Sequence, residues 1–237
     1  IDESNLPKSE PVIYVFNHTN SHDIPTASEI IQKHHFVLLG KQPLKLIDRI
    51  AFCLNGVIWV DRKDKCSKQN AKDKIIKCLN KGINILIFPE GTWNRSPNKI
   101  MLPLYWGVID IARICNIPIC PIILDYADNV CYAKIGKTIT ISKDADKGTA
   151  INYLRDTMAT IRYELWEMQP ILHRKSISTA YYNNILKKEV NEYPKLNLEY
   201  EISVERKEYE DCNDVFEHLE HIIPNLKTAF LFNKRLR

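Results

Sequence analysis

Short apolar runs alternate with amphipathic stretches along the first 170 residues. The runs are four to six residues long and rich in β-branched side chains, which is typical of strands buried on both faces of a sheet. The stretches between them carry apolar side chains at helical spacing. Strands are predicted at residues 11–16, 36–39, 57–60, 83–88 and 119–124. Helices are predicted to begin near Asp23 and to cover residues 44–54, 68–79, 105–115 and 149–167.

This alternation predicts an α/β fold with a mostly parallel sheet and helices on both of its faces. A hairpin is predicted between residues 130–135 and 138–142, turning at Gly136-Lys137. Residues 1–170 would form the core domain. Residues 171–237, rich in Tyr, Lys and Glu, would form a small α/β accessory segment packed on that core. Its predicted elements are a helix at 178–192, a strand at 198–204 and a helix at 215–222.

Reactive polar groups follow three of the predicted strands. They are His18 after the first strand, Asp61-Arg62 after the third and Glu90-Gly91-Thr92 after the fourth. Because ligands bind at the carboxyl ends of parallel strands, we expect these groups to meet at one edge of the sheet.

His18 and Asp23 are five residues apart, across the predicted turn from strand to helix. At this spacing the carboxylate can hold one imidazole nitrogen protonated and leave the other free to accept a proton from an alcohol. The alternative is that His18 bonds a loop carbonyl and Asp23 caps the helix.

Composition limits the kinds of binding partner and the cellular location to be expected. The chain has 237 residues and a net charge of +4, and its basic residues are interleaved with acidic ones, which argues against a nucleic-acid partner. No apolar run reaches the roughly 18 residues of a membrane span. The seven cysteines are odd in number and form no CxxC pair, which favours reduced thiols in the cytoplasm. The sequence opens at Ile1 without Met, which leaves an upstream anchor open.

Four motifs occur in order: NHTNSHD from residue 17, GVIWVDR from 56, FPEGT from 88 and IPICP from 117. Together they resemble the NHxxxxD, GxxFIDR, FPEGTRS and V/I-P-I-x-P motifs of the glycerolipid acyltransferase family, which includes the 1-acylglycerol-3-phosphate acyltransferases. The resemblance spans residues 11–125 and implies that family's α/β fold. It also implies transfer of a fatty acyl group from acyl-CoA or acyl carrier protein to a lysophospholipid hydroxyl, without a cofactor, a metal or a covalent acyl-enzyme.

The resemblance assigns roles to individual residues. His18 would deprotonate the hydroxyl and Asp23 would orient His18, while Arg62 would contact the acceptor phosphate. Lys41 matches a family lysine near that phosphate, although a solvated loop lysine would look the same. The expected substrate-binding set is completed by Glu90, Gly91, Thr92, Trp93 and Arg95.

The chain departs from the family pattern at two places. Trp93 replaces the arginine that follows the Glu-Gly-Thr, with Arg95 two residues further on, and Tyr105-Trp106-Gly107 replaces a Lys-Lys-Gly. Tryptophan offers a phosphate neither charge nor fork geometry, whereas aromatic rings stack well on sugars. A glycolipid or another lysolipid is therefore an alternative acceptor.

Other kinds of function have less support in the sequence. A non-catalytic lipid- or carrier-binding protein would have no need of both His18 and Asp23. The HxxxH pair of His18 and His22 lacks a third metal ligand at motif spacing. Ser21, Ser96 and the cysteines lack a nucleophile-elbow pattern.

The resemblance further implies peripheral association with the inner face of the membrane, through residues 43–54 or through Phe230-Leu231-Phe232 and the basic residues after it.

Overall fold

Six strands form a single sheet in the computed structural model, which describes residues 4–9, 11–41, 56–94, 99–127, 130–193 and 223–236. The strands are β1 (Ile13–Phe16), β2 (His35–Gly40), β3 (Val57–Val60), β4 (Asn84–Ile87), β5 (Ile119–Ala127) and β6 (Val130–Ile135). Their order is β3-β2-β4-β1-β5-β6. All neighbours are parallel except β5 and β6, which confirms the predicted mostly parallel sheet.

Five α-helices accompany the sheet within the described ranges. They are α1 (Asp23–Ile31), α2 (Lys65–Leu79), α3 (Gly107–Cys115), α4 (Lys147–Glu167) and α5 (Thr179–Glu192). Two short 3-10 turns are also described, one at Arg174–Ser176 between α4 and α5 and one at Ala229–Leu231.

Both faces of the sheet are covered, as predicted. Alternate side chains of a strand point to opposite faces, and every residue of β1 is buried. Ile13 and Val15 belong to a core cluster shared with α2, α3 and α4. Tyr14 and Phe16 belong to a second cluster, shared with α1. The strand that leads to His18 is thus fixed from both sides.

The predicted hairpin between residues 130–135 and 138–142 is wrong. β6 pairs with β5 instead, along its full length and antiparallel. Residues 138–142 contribute only an isolated bridge, between Ile139 and Ile119. At Gly136 the chain does not turn back, because the Gly136 N–H donates to the Pro121 carbonyl at 2.8 Å and holds the segment against β5.

Three helices begin at a different residue from the one predicted, and in each case a hydrogen bond accounts for the difference. α2 begins earlier because Asp64 accepts from the Cys66 N–H at 2.9 Å, and α4 begins earlier because Asp146 accepts from the Thr149 N–H at 2.8 Å. α3 begins later than residue 105 because the Tyr105 N–H donates to the Pro89 carbonyl at 2.8 Å.

The end of the chain contacts both α5 and the segment that follows α4. Leu172 pairs with Leu236, and the Asn233 amide donates to Glu189 of α5 at 3.0 Å. The helix predicted at 178–192 is confirmed as α5, while the division of the chain at residue 170 stays a prediction. The elements predicted at 44–54, 198–204 and 215–222 lie outside the described residues. In the ranges that are described, no helix is both long and apolar enough to cross a bilayer.

Asn84 joins the start of β4 to two other segments and offers a test of the fold. Its buried side chain accepts from the Val12 N–H at 2.9 Å and donates to the His34 carbonyl at 3.0 Å. Asn84→Ala would leave both backbone groups without these partners, so we expect the free energy of unfolding to fall by about 2–4 kcal/mol. Chemical denaturation measures this change. The exposed Asn80→Ala control should change it by less than about 0.5 kcal/mol, and equal effects of the two substitutions would contradict the assignment.

Candidate active site

Asn17 anchors the chain immediately before His18. Its fully buried side chain donates to the Leu124 carbonyl at 2.8 Å and accepts from the Leu124 N–H at 2.7 Å. The amide thereby continues the pairing of β1 with β5 one residue beyond the strand. Asn17 was not among the predicted site residues, although its place as the first residue of the NHTNSHD motif was a signal.

His18 and Asp23 form a hydrogen-bonded pair. The Nδ1 atom of His18 lies 2.8 Å from Oδ2 of Asp23, which is fully buried in the first turn of α1. The same oxygen accepts from the Thr19 N–H at 2.5 Å and from the Asn20 N–H at 2.9 Å. The carboxylate therefore closes the loop that precedes α1, since His18, Thr19 and Asn20 all lie before the helix and not within it.

These donors determine the ionisation of Asp23. Burial by itself would raise the pKa of Asp23, but the bonds from His18, Asn20 and Thr19 outweigh it and lower the pKa below its usual value. At neutral pH Asp23 is then an anion that only accepts hydrogen bonds, so Nδ1 of His18 must carry the proton. Nε2 is left free to accept one. The His18 side chain retains 18% of its accessible surface, so it can be reached.

Aromatic rings border the His18 imidazole. The Phe88 ring centroid lies 4.5 Å away at a tilt of 31°, and the Trp93 ring meets the imidazole edge-on at 5.9 Å. Trp93 thus takes a place beside the candidate base where the family pattern has a cation.

Glu90 forms hydrogen bonds to two loops, one of which contains His18. One carboxylate oxygen accepts from the His18 N–H at 3.0 Å and the other from the Leu102 N–H at 2.8 Å. Burial raises the pKa of Glu90 to about 7, even though the positive charge of Arg162 and these two bonds pull it down. With both oxygens bonded to backbone, Glu90 positions His18. Arg162, on α4, was not predicted from the sequence.

Gly91 is required by its neighbour Tyr105. Its φ of +70° is unfavourable for other residues, and a Cβ atom there would lie 2.2 Å from the Tyr105 ring. Thr92, the next residue, is buried with 9% exposure. The turn at residues 88–92 is closed by a 3.0 Å bond from the Gly91 N–H to the Phe88 carbonyl.

Arg62 contacts Tyr105, the residue that packs against this turn. The centre of its guanidinium lies 5.5 Å from the Tyr105 ring centroid, within cation–π range. The groups that follow β1, β3 and β4 therefore meet at one edge of the sheet, as predicted. Lys41 lies further out, with Nζ 3.9 Å from Asp61 and 74% of its side chain exposed. Arg95 falls outside the described residues.

His22 does not join His18. It is exposed, and its N–H donates to the Asn20 side chain at 2.7 Å. Within the described ranges no three His, Cys, Asp or Glu side chains converge as a metal site would require.

Comparison with known proteins places the first half of the chain among acyltransferases. The family described as "Acyltransferase" matches residues 1–125. The 1-acyl-sn-glycerol-3-phosphate acyltransferases of Haemophilus influenzae and Escherichia coli are 31% and 32% identical to it over 120 residues, covering 49% of this chain and 49% and 48% of theirs. The chain thus spans about half the length of these curated relatives.

A solved structure supports the fold. The 1-acyl-sn-glycerophosphate (LPA) acyltransferase PlsC from Thermotoga maritima superposes with a TM-score of 0.53, covering 71% of this chain and 70% of that one. At 17% sequence identity, this likeness concerns the fold alone.

The pKa of Glu90 predicts a pH dependence of stability. Because that pKa is raised, the folded state binds more protons than the unfolded state between about pH 4.5 and 7. The free energy of unfolding should therefore fall across this window as pH rises, by roughly 3 kcal/mol at most from this group. Denaturation at several pH values should show a smaller fall in Glu90→Gln than in the wild type or the exposed Glu167→Gln control. Parallel curves for all three proteins would exclude a raised pKa at Glu90.

Proposed function

The chain belongs to the Acyltransferase family, and on that premise we propose that it moves a fatty acyl group from a thioester carrier to the hydroxyl of a lysophospholipid such as 1-acylglycerol-3-phosphate. The observation that carries the proposal is the 2.8 Å bond between His18 and the buried Asp23. The names of the curated relatives support the same reaction and acceptor.

The proposed reaction passes one proton through His18. Nε2 removes the proton of the acceptor hydroxyl as its oxygen attacks the thioester carbonyl. The tetrahedral intermediate then expels the thiolate, which takes the proton from His18 as the carbon–sulfur bond breaks. The products are the ester and the free thiol, and no acyl group becomes attached to the protein. Asp23 stabilises the imidazolium that exists between the two proton transfers.

The acceptor phosphate is proposed to bind Arg62, with Lys41 and Arg95 contributing charge. Arg62 is fixed in direction because it stacks on Tyr105, and Tyr105 in turn packs over Gly91. An arginine fork suits a phosphate by charge and shape. Thr92 and Trp93, which follow Gly91 in the same turn, would line the remainder of the acceptor pocket.

An acceptor other than 1-acylglycerol-3-phosphate is the second candidate. It is favoured by the Trp93 ring, which lies 5.9 Å from His18 where the family pattern has an arginine. A glycolipid or another lysolipid could stack on that ring.

We also propose that the protein acts in the cytoplasm, at the inner face of a membrane. Its substrates are lipids, and the net charge of +4 favours an anionic surface. Phe230 and Leu231 are 42% and 38% exposed and are followed by the basic residues Lys234 and Arg235. Such a mixture of apolar and basic groups is typical of segments that lie on a membrane.

Substitution of the two paired residues tests the proposed base. His18→Ala should lower acyl transfer from acyl-CoA or acyl carrier protein at least about a thousandfold, because no other described group replaces Nε2. Asp23→Asn should lower it by about a hundredfold or more, because the tautomer and the orientation of His18 are lost. The measurement is the rate of acylated lipid formation by purified protein.

His22→Ala is the matched control, since His22 is exposed and four residues away. It should stay within about twofold of the wild type. If the wild type binds acyl thioesters but forms no acylated lipid with any acceptor, the protein is a non-catalytic carrier- or lipid-binding protein. Loss of activity in His22→Ala that added metal restores would indicate a metal site instead.

A panel of acceptors tests the proposed role of Arg62. With lysophosphatidate, Arg62→Gln should raise KM about tenfold or more and leave kcat nearly unchanged, because a charge pair to the phosphate is lost in the ground state and transition state alike. With an uncharged glycolipid acceptor the substitution should have little effect. Activity on the glycolipid alone, in the wild type, would replace lysophosphatidate as the acceptor.

A further inference from the structure

A polar cavity of about 630 Å³ lies beside the His18 loop, between the core and the end of the chain. Its size falls within the range of small-molecule sites. Thr19 and Asn94 form part of its wall, and the Asn94 N–H donates to the His18 carbonyl at 2.7 Å. The cavity thus begins next to the candidate base.

Arg162 is a buried cation in the wall of this cavity. It is only 6% exposed, and its Nη1 donates to the Ile100 carbonyl at 2.5 Å. Among the residues that the structure describes, its Nε has no hydrogen-bond partner and no carboxylate forms an ion pair with it. The centre of the guanidinium lies 5.2 Å from the Trp166 ring centroid, but a ring carries no net charge. A buried cation without an anionic partner is costly, so this guanidinium is suited to an anionic ligand.

The nearby Glu90 compensates this charge only in part. Burial raises the pKa of Glu90 to about 7 despite the positive charge of Arg162. Both Glu90 oxygens already accept backbone hydrogen bonds, from His18 and Leu102.

Among the described residues, basic side chains outnumber acidic ones in the wall of the cavity. The basic ones are Lys99, Arg162, Lys188, Lys234 and Arg235. The acidic ones are Asp125, Glu189 and Glu192, and each has a partner: Gln169 donates to Asp125 at 2.6 Å, Asn233 donates to Glu189 at 3.0 Å, and Lys188 lies 4.0 Å from Glu192. Much of this lining comes from α5 and the chain end, outside the family match to residues 1–125.

In the sheet, this cavity and Arg62 lie on opposite sides of β1. β3, which leads to Arg62, lies on one side of β1, and β5, whose last residues line the cavity, lies on the other. His18 is therefore flanked by two basic regions. Acyl transfer brings two anionic substrates together at the base, and Arg62 is already proposed to take the phosphate of the acceptor.

We propose that the cavity binds the phosphate-bearing pantetheine arm of the acyl thioester, with Arg162 contacting the phosphate. The inference rests on the proposed function, which requires a thioester to reach His18. The arm is rich in amides and anionic, which suits a polar, basic lining, whereas an acyl chain needs an apolar path. CoA and acyl carrier protein both carry this arm, so they share the chemistry that the cavity would recognise.

Equilibrium binding tests the site without relying on activity. Calorimetry on the whole chain compares 4′-phosphopantetheine with pantetheine, which lacks the phosphate. The wild type should bind 4′-phosphopantetheine at least about tenfold more tightly. Arg162→Met, and separately the double variant Lys188→Gln/Lys234→Gln, should remove most of that preference and leave pantetheine binding unchanged. Lys137→Gln, at an exposed lysine outside the cavity, should keep it.

The outcomes separate this inference from the proposed function. Equal affinity for the two ligands, or no wild-type binding of 4′-phosphopantetheine at millimolar concentration, would overturn the cavity assignment while leaving the His18 assay to stand or fall independently. If Arg162→Met does not fold, the double variant decides alone. Tenfold tighter binding of CoA than of 4′-phosphopantetheine would show that the nucleotide is held too, and equal binding would favour acyl carrier protein as the donor.

Steady-state kinetics provide the second readout. Arg162→Met should raise KM for the acyl thioester about tenfold and leave KM for lysophosphatidate within about twofold. The opposite pattern would mean that the cavity holds the acceptor phosphate, which contradicts the proposal. Rescue by Arg162→Lys, which keeps the charge, is expected to be partial because the planar fork is lost.

Discussion

The geometry of the site depends on one buried oxygen, Oδ2 of Asp23. It accepts hydrogen bonds from the His18 ring and from the backbone N–H groups of Thr19 and Asn20. A fully buried carboxylate is tolerable only with such donors. They keep it ionised, fold the loop around it and fix the tautomer of His18 at once. The loop is held further by Glu90 at the His18 N–H and by Asn17 at β5. The candidate base is therefore preorganised by side-chain hydrogen bonds that join its loop to β5 and to the turn that contains Glu90.

Much of the sheet and part of the site could be predicted from local sequence. The β-branched runs around Ile13 and Ile85 were sufficient to predict strands, and the helical spacing between such runs was sufficient to predict helices, because each pattern reflects the burial of nearby residues. The alternation of strands and helices then predicted a parallel sheet. The pair His18 and Asp23 was also predictable, since both residues lie in one turn. The two misses have different causes. Asn17 bonds a residue 107 positions later, which no local pattern encodes. β6 has an apolar run on either side of it in the sequence, and it pairs with the preceding one, β5, where a hairpin with the following one was expected.

The departures from the family pattern have structural consequences on two sides of His18. Tyr105 stands where the pattern has a lysine, and it supports Arg62 and requires glycine at position 91. Trp93 adds an aromatic edge beside the imidazole. Further positive charge lies on α4, at Arg162, next to a cavity completed by the end of the chain. The region around His18 thus has one cation from the motifs, Arg62, and another from a helix that follows them.

The central claim is that Asp23 keeps Nδ1 of His18 protonated and Nε2 free to act as a base. Nitrogen-15 NMR of protein labelled at histidine, with the His18 signals assigned by comparison with His18→Gln, measures this directly in the neutral imidazole. We expect a protonated Nδ1 and an unprotonated Nε2 in the wild type, and loss of this preference in Asp23→Asn. A neutral His18 that carries its proton on Nε2 in the wild type would contradict the account.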